Sequence, residues 1–303
     1  MPGWWDTQQK KWLEDINQVG TDTGNMAWAT IGLLRAYKAF GKADYLNAAK
    51  RLATWIDVNV RDAKGDGGYA GGFKGWEPSC GGQSPTQVAW KSTEHNIDAY
   101  IAFITLFDQT GETTWEDRAL HAKKFVRSMW GACGAANFAT GTKDDGVTPN
   151  CDFTPEDTNT WGLMALGEVA KYGAGVDFVQ NNCPVSESCF RGKVAAGIDF
   201  NDDRDGIWWE GTAHMVIAER IKGENSEADF FLNNLRQAQR LAPNADGKGI
   251  VATCHDQVTT GIEGFSLFNR LHVAATSWYI LTELKHNPFW GIKTTDAIPH
   301  EGE

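Results

Sequence analysis

Carboxylate, imidazole and indole side chains gather in one short segment ahead of a predicted apolar helix. Trp90, Glu94, His95 and Asp98 lie within nine residues of one another. Ser and Thr before a helix, and an acid in its first turn, are ordinary capping chemistry. Asp98 follows Glu94 by four residues, which places both on one helix face. Because a cap does not require all four side chains, we predict that Glu94 and His95 face a ligand cavity.

A second group combines two indoles with a carboxyl group and an imidazole. Trp208 and Trp209 directly precede Glu210, and His214 follows one helical turn later. A carboxyl group packed against indole rings has a raised pKa, which suits a general acid. This pattern predicts that Glu210 does acid–base chemistry.

The loop at residues 199–205 offers a cluster of acids. Asn201, Asp203, Asp205 and Gly206 mimic the start of a calcium-binding loop, but the closing glutamate comes two positions early. An EF-hand is therefore excluded. Asp and Gly favour tight turns strongly, so a turn is the preferred interpretation and no metal site is predicted.

Two further acids, Asp22 and Asp157, each precede an apolar helix by a few residues, as Glu94 does. Helix capping explains each of them alone. Their shared register with Glu94 keeps both as candidate catalytic residues.

The last candidate loop contains Glu263, Arg270 and His272. Arg270 opens a helix, where its charge opposes the helix dipole. We expect it to face an acidic group or an anionic ligand, and the alternative is a salt bridge to another loop.

Residues 65–87 have no helical pattern, and glycines there alternate with Tyr69, Phe73 and Trp76. The segment is either a lid or sugar-stacking loop, which its aromatic residues favour, or a surface insertion.

Helical hairpins must position these loops. An apolar helix, a glycine and a charged amphipathic helix recur at a period of roughly 60 residues. The predicted helices are residues 25–40 with 43–58, 95–109 with 115–129, a helix from 157 continuing weakly through 176–181, a helix from 211 with 226–241, and 271–284. Residues 5–16 are a candidate outer helix, and short strands are expected near residues 69–73 and 207–211.

Composition and charge exclude several classes of protein. The chain has 303 residues and a net charge of −11, which argues against a partner that is a nucleic acid or an anionic membrane. Its apolar runs fall far short of the roughly 20 residues of a transmembrane helix. The 14 tryptophans suit ligands with flat faces, such as sugars, although a large core would also use them.

The six cysteines all lie in loop-like segments. An even set confined to loops is typical of disulfides in an oxidising compartment, so we predict a secreted or periplasmic protein. Cys183 and Cys189 could close one short loop, but the sequence leaves the pairing open.

The segments DTGNMAW, WKSTEHNIDAY, WWEGTAHM and RLHVAATSWYILTEL resemble a bacterial group of (α/α) toroids, the six-hairpin glycosidase-like fold, associated with polysaccharides. This resemblance covers residues 20–290. It implies an all-α fold, an (α/α)6-type toroid of helical hairpins with long Gly- and Trp-rich loops at one end, and residues 1–303 as a single domain.

Three functions fit that fold, because relatives of the toroid include hydrolases, lyases and epimerases. The first is a glycoside hydrolase with Glu94 and Glu210 as the carboxyl pair, Asp22, Asp157 and Glu263 as further candidates, and an inverting mechanism implied by the fold. The second is a sugar epimerase or polysaccharide lyase that uses histidine. The third is a glycan-binding toroid without catalysis. The residues expected to contact the sugar are Trp76, Trp90, His95, Asp98, Trp208, Trp209, His214, Glu263, Arg270 and His272. We expect a monomer that needs no cofactor and binds an oligo- or polysaccharide.

Overall fold

The computed structural model describes the backbone of residues 3–14, 20–76, 85–262 and 264–302. It also describes the side chains of these residues, except for the strand residues 3–5, 12–14, 76 and 85. Helices dominate the described part of the chain. They are α1 Thr23–Phe40, α2 Ala43–Val60, α3 Thr93–Thr110, α4 Thr113–Met129, α5 Glu156–Leu166, α6 Val169–Asn182, α7 Trp209–Lys222, α8 Asn225–Leu241 and α9 Val273–Glu283.

The strands are short and lie between the helices. They are β1 Gly3–Asp6, β2 Lys11–Glu14, β3 Thr21–Asp22, β4 Gly72–Trp76, β5 Pro85–Val88, β6 Gly141–Thr142, β7 Pro149–Asn150, β8 Pro184–Phe190, β9 Lys193–Ile198, β10 Ile250–Val251, β11 Val258–Thr259, β12 Ser266–Leu267, β13 Leu271–His272, β14 His286–Asn287 and β15 Ile292–Lys293.

The chain forms two compact units. The first comprises Met1–Met129 with Gly141–Pro149, and the second comprises Trp130–Thr140 with Asn150–Glu303. The expectation of a single domain over residues 1–303 stays a prediction.

In the first unit, two helical hairpins, α1–α2 and α3–α4, pack through α1 and α3. Every residue of α3 from Asn96 to Leu106 is buried, whereas α2 buries one stripe made of Ala49, Ala53, Ile56 and Val60. A helix that is apolar over most of its circumference lies inside, and an amphipathic one lies outside. Strands β3, β4 and β5 form an antiparallel sheet beside the start of α1.

In the second unit, α7 packs against α5, α8 and α9, and α5 packs against α6. All 11 residues of α5 are buried, as are Trp209–Arg220 of α7. Strands β8 and β9 form an antiparallel hairpin, with Pro184 opposite Ile198. The unit therefore has inner helices α5 and α7 that begin beside its loops.

The predicted helix ends are confirmed where glycine stops a helix. Gly41, Gly111 and Gly223 follow α1, α3 and α7 with φ of 67°, 68° and 88°. Glycine alone adopts this left-handed conformation without strain from a side chain.

Three predictions about local structure are wrong. The stretch 5–16, expected as an outer helix, contains the β1–β2 hairpin, because Oδ1 of Asp6 accepts the N–H groups of Gln8 and Gln9 and starts a turn. The helix expected from residue 157 ends at Leu166, since Gly167 and Glu168 have φ of 68° and 46°. The β8–β9 hairpin lies where no strand was predicted.

The cysteines pair as Cys133–Cys151 and Cys189–Cys254, and Cys183 is a buried free thiol. A short loop closed by Cys183 and Cys189 is excluded because β8 separates them. Six extended residues span about 20 Å, whereas the Cα atoms of a disulfide lie within about 7 Å. Cys80 lies outside the described residues. Among the described helices, none combines the length and hydropathy that crossing a bilayer requires.

Candidate active site

The start of α5 carries two consecutive acids. Glu156 is fully buried and Asp157 is 4% exposed. The backbone N–H of Glu156 donates to the carbonyl oxygen of Phe200 at 2.8 Å, and Pro155 precedes the helix. Proline suits the entry to a helix because its φ is already helical. Both carboxyl groups are therefore held inside the second unit rather than at its surface.

The start of α7 carries the other carboxyl group. Trp208 forms bridges with Ile198 and Thr253, and the N–H of Trp209 donates to the carbonyl oxygen of Ala252. These backbone contacts fix the first turn of α7. Glu210 there is 8% exposed, and His214, four residues on, is fully buried.

His272 lies just before α9 and is the exposed member of the group. Its backbone pairs with Ile250 in the β10–β13 ladder. Its Nδ1 accepts the backbone N–H of Ala275 at 3.4 Å, which caps α9. About 41% of its side chain is exposed, so this edge of the group is open to solvent.

Glu210 lies between the two imidazoles. Its Oε1 is 3.9 Å from Nε2 of His214, and its Oε2 is 3.4 Å from Nδ1 of His272. On the far side of His214, Nδ1 is 3.0 Å from Oε2 of Glu156. Three helix starts thus contribute to one continuous row of ionisable groups.

Indole rings enclose the His214 imidazole. The centroids of Trp161, Trp208 and Trp278 lie 5.2, 5.3 and 4.2 Å from its own, each in an edge-to-face arrangement. Trp161 and Trp278 stack on one another at 5.6 Å. This aromatic enclosure removes water from around His214 and lowers the local dielectric.

The electrostatics of the group follow from this burial. Burial, and to a lesser extent the nearby Asp157 carboxylate, raise the pKa of Glu210 to about 8. Burial also raises the pKa of Asp157 to about 7, against the opposing effect of the Thr158 N–H. The pKa of Glu156 is raised well above its usual value, first by burial and then by Asp157. Such carboxyl groups can hold a proton near neutral pH, as a general acid must.

The two histidines of this group are neutral at the same pH. Burial lowers the pKa of His214 well below its usual value and lowers that of His272 as well. Each neutral ring has one nitrogen that donates and one that accepts a hydrogen bond. The group can therefore give a proton to a bound molecule and take one from it.

The acidic loop is a tight turn that also offers ligand atoms for a cation. Asp199, Asp203 and Asp205 each place one carboxylate oxygen within 4.8 Å of the others. The N–H groups of Phe200 and Gly206 donate to Asp199, and those of Asp203 and Thr259 donate to Asn201 and Asp205. These backbone donors hold the loop in a turn, and the expectation that it binds no metal stays a prediction.

The first unit brings together its own predicted residues. Asp22, Trp90, Glu94, His95 and Asp98 lie at or near the starts of α1 and α3, which pack together. The His95 ring lies 5.8 Å from that of Trp90, and a Cβ on Gly24 would come within 2.5 Å of it. Burial raises the pKa of Asp22 and lowers that of His95 to about 4. The pairing of Glu94 with Glu210 joins residues of different units and stays a prediction.

The remaining predicted residues fall elsewhere. Trp209 is fully buried and stacks on Phe190 at 5.9 Å, so in this structure its ring is part of the core. Arg270 lies over the ring of Phe268 at 5.2 Å and, within the described residues, pairs with no carboxylate. Glu263 and the side chain of Trp76 lie outside the described residues.

Sequence reasoning missed Glu156, Trp161 and Trp278 as members of this group. A proline followed by an acid is ordinary chemistry for the start of a helix, so Glu156 by itself does not indicate a catalytic residue. The available signal was the tandem of two acids, because one N-terminal acid suffices for the helix dipole.

The comparisons with known proteins concern the fold. No family model matches the sequence, and no curated protein matches it significantly. A family 76 glycoside hydrolase from a bovine Bacteroides thetaiotaomicron strain superposes with a TM-score of 0.59 at 11% identity, over 88% of this chain and 57% of that one. The cellobiose 2-epimerase from Bacillus thermoamylovorans superposes with a TM-score of 0.54 at 10% identity, over 88% of this chain and 72% of that one.

A third similar structure carries a ligand. It is an inactive variant of an α-1,6-mannanase of Salegentibacter in complex with α-1,6-mannotriose, with a TM-score of 0.54 at 14% identity, over 86% of this chain and 75% of that one. At these identities the likeness shows the fold alone, which is the predicted (α/α) toroid of the six-hairpin glycosidases. This chain spans little more than half the length of the first of the three.

Proposed function

We propose that the protein is a glycoside hydrolase that cleaves an oligo- or polysaccharide with Asp157 and Glu210 as its two carboxyl groups. Glycosidases need one protonated and one ionised carboxyl group on either side of the scissile bond. The observation that carries the proposal is the placement of Glu210 between two neutral imidazoles, with Asp157 near enough to raise its pKa. The proposal replaces Glu94 by Asp157 as the partner of Glu210.

The chemistry follows from the two pKa values. Glu210, with the higher value, carries the proton and donates it to the glycosidic oxygen as the C–O bond breaks. The bonding electrons leave with that oxygen, and Glu210 becomes a carboxylate. Asp157, with the lower value, is the ionised partner. As a base it takes a proton from the attacking water and the product is inverted, whereas as a nucleophile it gives retention.

Two similarities support this assignment. The mannanase structure is described as an inactive variant in which two consecutive aspartates are replaced by asparagine. In this chain Glu156 and Asp157 are likewise consecutive acids, at the start of a buried helix. The neighbours named as glycoside hydrolases share this fold, which makes a carbohydrate substrate the first class to test.

A sugar epimerase is the second candidate, and His272 favours it. This imidazole is neutral, half-exposed and in contact with Glu210, so it could remove a proton from a sugar carbon. Two of the similar structures are cellobiose 2-epimerases. The third candidate is a toroid that binds a glycan without catalysing a reaction.

One experiment separates the three. Purified protein is incubated in deuterated water with α-1,6-mannooligosaccharides, cellobiose and a polysaccharide panel, and products are followed by NMR and mass spectrometry. New reducing ends support the hydrolase, and the anomer formed first reports inversion or retention. An epimer carrying deuterium, without new ends, would replace the hydrolase by the epimerase. Binding with neither product would favour the third function.

We also propose that the protein works outside the cytoplasm, in a secreted or periplasmic setting. Its two disulfides are the support for this location, since such bonds persist in oxidising compartments.

A further inference from the structure

The two oxygens of the Glu210 carboxyl group face different kinds of nitrogen. Nδ1 of His272 already accepts the N–H of Ala275, so it carries no proton. The single lone pair of Nδ1 is taken by that N–H, so Oε2 of Glu210 at 3.4 Å makes no hydrogen bond to it. The other oxygen, Oε1, faces Nε2 of His214 at 3.9 Å.

His214 is held by Glu156 on one side and is open toward Glu210 on the other. Its Nδ1 contacts Oε2 of Glu156 at 3.0 Å, and both side chains are fully buried. Its Nε2 has no hydrogen-bond partner among the described residues and lies 3.9 Å from Oε1 of Glu210. Buried polar atoms are rarely left without a partner, and contacts at active sites commonly shorten when substrate binds.

The protonation state of Glu156 sets the tautomer of His214. A protonated Glu156 donates its O–H to Nδ1, so the ring proton of the neutral imidazole must be on Nε2. Burial favours the neutral form of both groups, raising the pKa of Glu156 and lowering that of His214. Within the part of the chain that the structure describes, the ionisable groups near Glu210 are Glu156 and Asp157 on α5, His214 on α7 and His272 before α9.

We propose that Glu156 and His214 are positioning residues that hold an Nε2–H toward Oε1 of Glu210, and that this donor stabilises the carboxylate left when the Glu210 proton passes to the glycosidic oxygen. The catalytic part of this inference, stabilisation of the Glu210 carboxylate during the reaction, rests on the proposed hydrolase function. The arrangement itself does not depend on any activity. A hydrogen-bond donor directed at a developing charge stabilises that charge most strongly in a site without water.

The first test needs no activity. Long-range ¹H–¹⁵N spectra report the tautomer and charge of each histidine, and loss of one signal set in His214→Phe assigns His214. We expect the Nε2–H tautomer, uncharged at every pH from 5.5 to 8.5. We expect Glu156→Gln to keep it, because an amide N–H can still donate to Nδ1. Glu156→Leu removes the partner that fixes the tautomer, so both tautomers should be populated there. A proton on Nδ1, or a ring that titrates in this range, would overturn the proposal.

The second test uses the pH profile of kcat/KM. In His214→Phe, loss of the donor should shift the alkaline limb of the profile to higher pH by roughly one unit. We expect kcat to be lower by about 10–100-fold and KM to be nearly unchanged. Glu156→Leu should resemble it, and Glu156→Gln should stay close to the wild type. Trp278→Phe is the matched control, since it alters packing on His214 without removing an ionisable group.

The two tests separate failure of the inference from failure of the proposed function. If the protein hydrolyses no glycan but shows the Nε2–H tautomer, the pair stands and the function is wrong. If it hydrolyses glycans and the limb moves equally in Trp278→Phe and His214→Phe, packing explains the effect and the inference is wrong.

Discussion

His214 and Glu156 contact each other at 3.0 Å between Nδ1 and Oε2, and neither side chain has any exposed surface. The contact joins the inner helices α5 and α7 of the second unit through ionisable groups rather than through apolar packing. Buried polar pairs of this kind cost stability relative to apolar ones. A pair of this kind beside Glu210 and Asp157 is typical of an active site, where such a cost is accepted for function.

The two carboxyl groups predict a narrow bell-shaped pH profile. Asp157 must be ionised and Glu210 protonated, so kcat/KM should rise as the pH passes about 7 and fall as it passes about 8. Because the two carboxyl groups interact, the pKa values of the two limbs describe the pair and not each residue separately. Initial rates from pH 5 to 10 on a cleaved substrate measure this profile. A flat profile across pH 6–9 would contradict the assignment.

Replacing either carboxyl group should remove most of the activity. We expect Asp157→Asn and Glu210→Gln to lower kcat by roughly 10²–10⁴, the usual contribution of an acid or base. Glu227→Gln is the matched control, because Glu227 also lies in the first turn of a helix but is exposed. Glu94→Gln decides between pairs, since an equal loss there would restore the pairing predicted from the sequence.

The same Glu210→Gln variant should be more stable than the wild type at alkaline pH. Glu210 has a folded pKa of about 8 against about 4.3 in an unfolded chain, so the folded state binds more protons between these values. Wild-type stability therefore falls as the pH rises through that window. Thermal unfolding should give a Tm higher by roughly 5 °C in the variant at pH 9, with the difference vanishing at pH 4. A lower Tm for the variant at pH 9 would refute the raised pKa.

Gly211 has a packing role that alanine should expose. A Cβ there would clash with the ring of Trp208 and lie 3.1 Å from Oε2 of Glu156. We expect Gly211→Ala to lose about 1–3 kcal/mol of unfolding free energy. In Gly32→Ala, the control on α1, the new Cβ meets nothing within 4 Å, and stability should rise by roughly 0.4–1 kcal/mol. Urea unfolding of both variants measures the two changes, which should have opposite signs.

The disulfide pairing can be checked by peptide mapping without reduction. We expect linked peptides for Cys133–Cys151 and Cys189–Cys254, and a Cys183 thiol that reacts with alkylating reagents only after unfolding. Opening the 65-residue loop between Cys189 and Cys254 should cost roughly 3–5 kcal/mol, chiefly by releasing the unfolded chain. A linked Cys183–Cys189 peptide would show that β8 is not extended in solution.

Local sequence was enough to predict most helices and their ends. The apolar pattern located α1, α3, α7 and α9, and Gly41, Gly111 and Gly223 marked three helix ends. Periodicity and glycine conformation act over a few residues, so they can be read without knowing the fold. The same reasoning placed Glu210, His214 and Asp157 at the starts of buried helices.

Tertiary structure alone decided which of those residues meet. The sequence ranked Glu94 beside Glu210, because both precede inner helices, but nothing in a linear pattern says that α5 and α7 bring Glu156 to His214. It also could not show that Trp209 packs on Phe190 whereas Trp208 covers His214. Contacts between groups 58 residues apart, and the burial that shifts their pKa values, arise only when the helices pack.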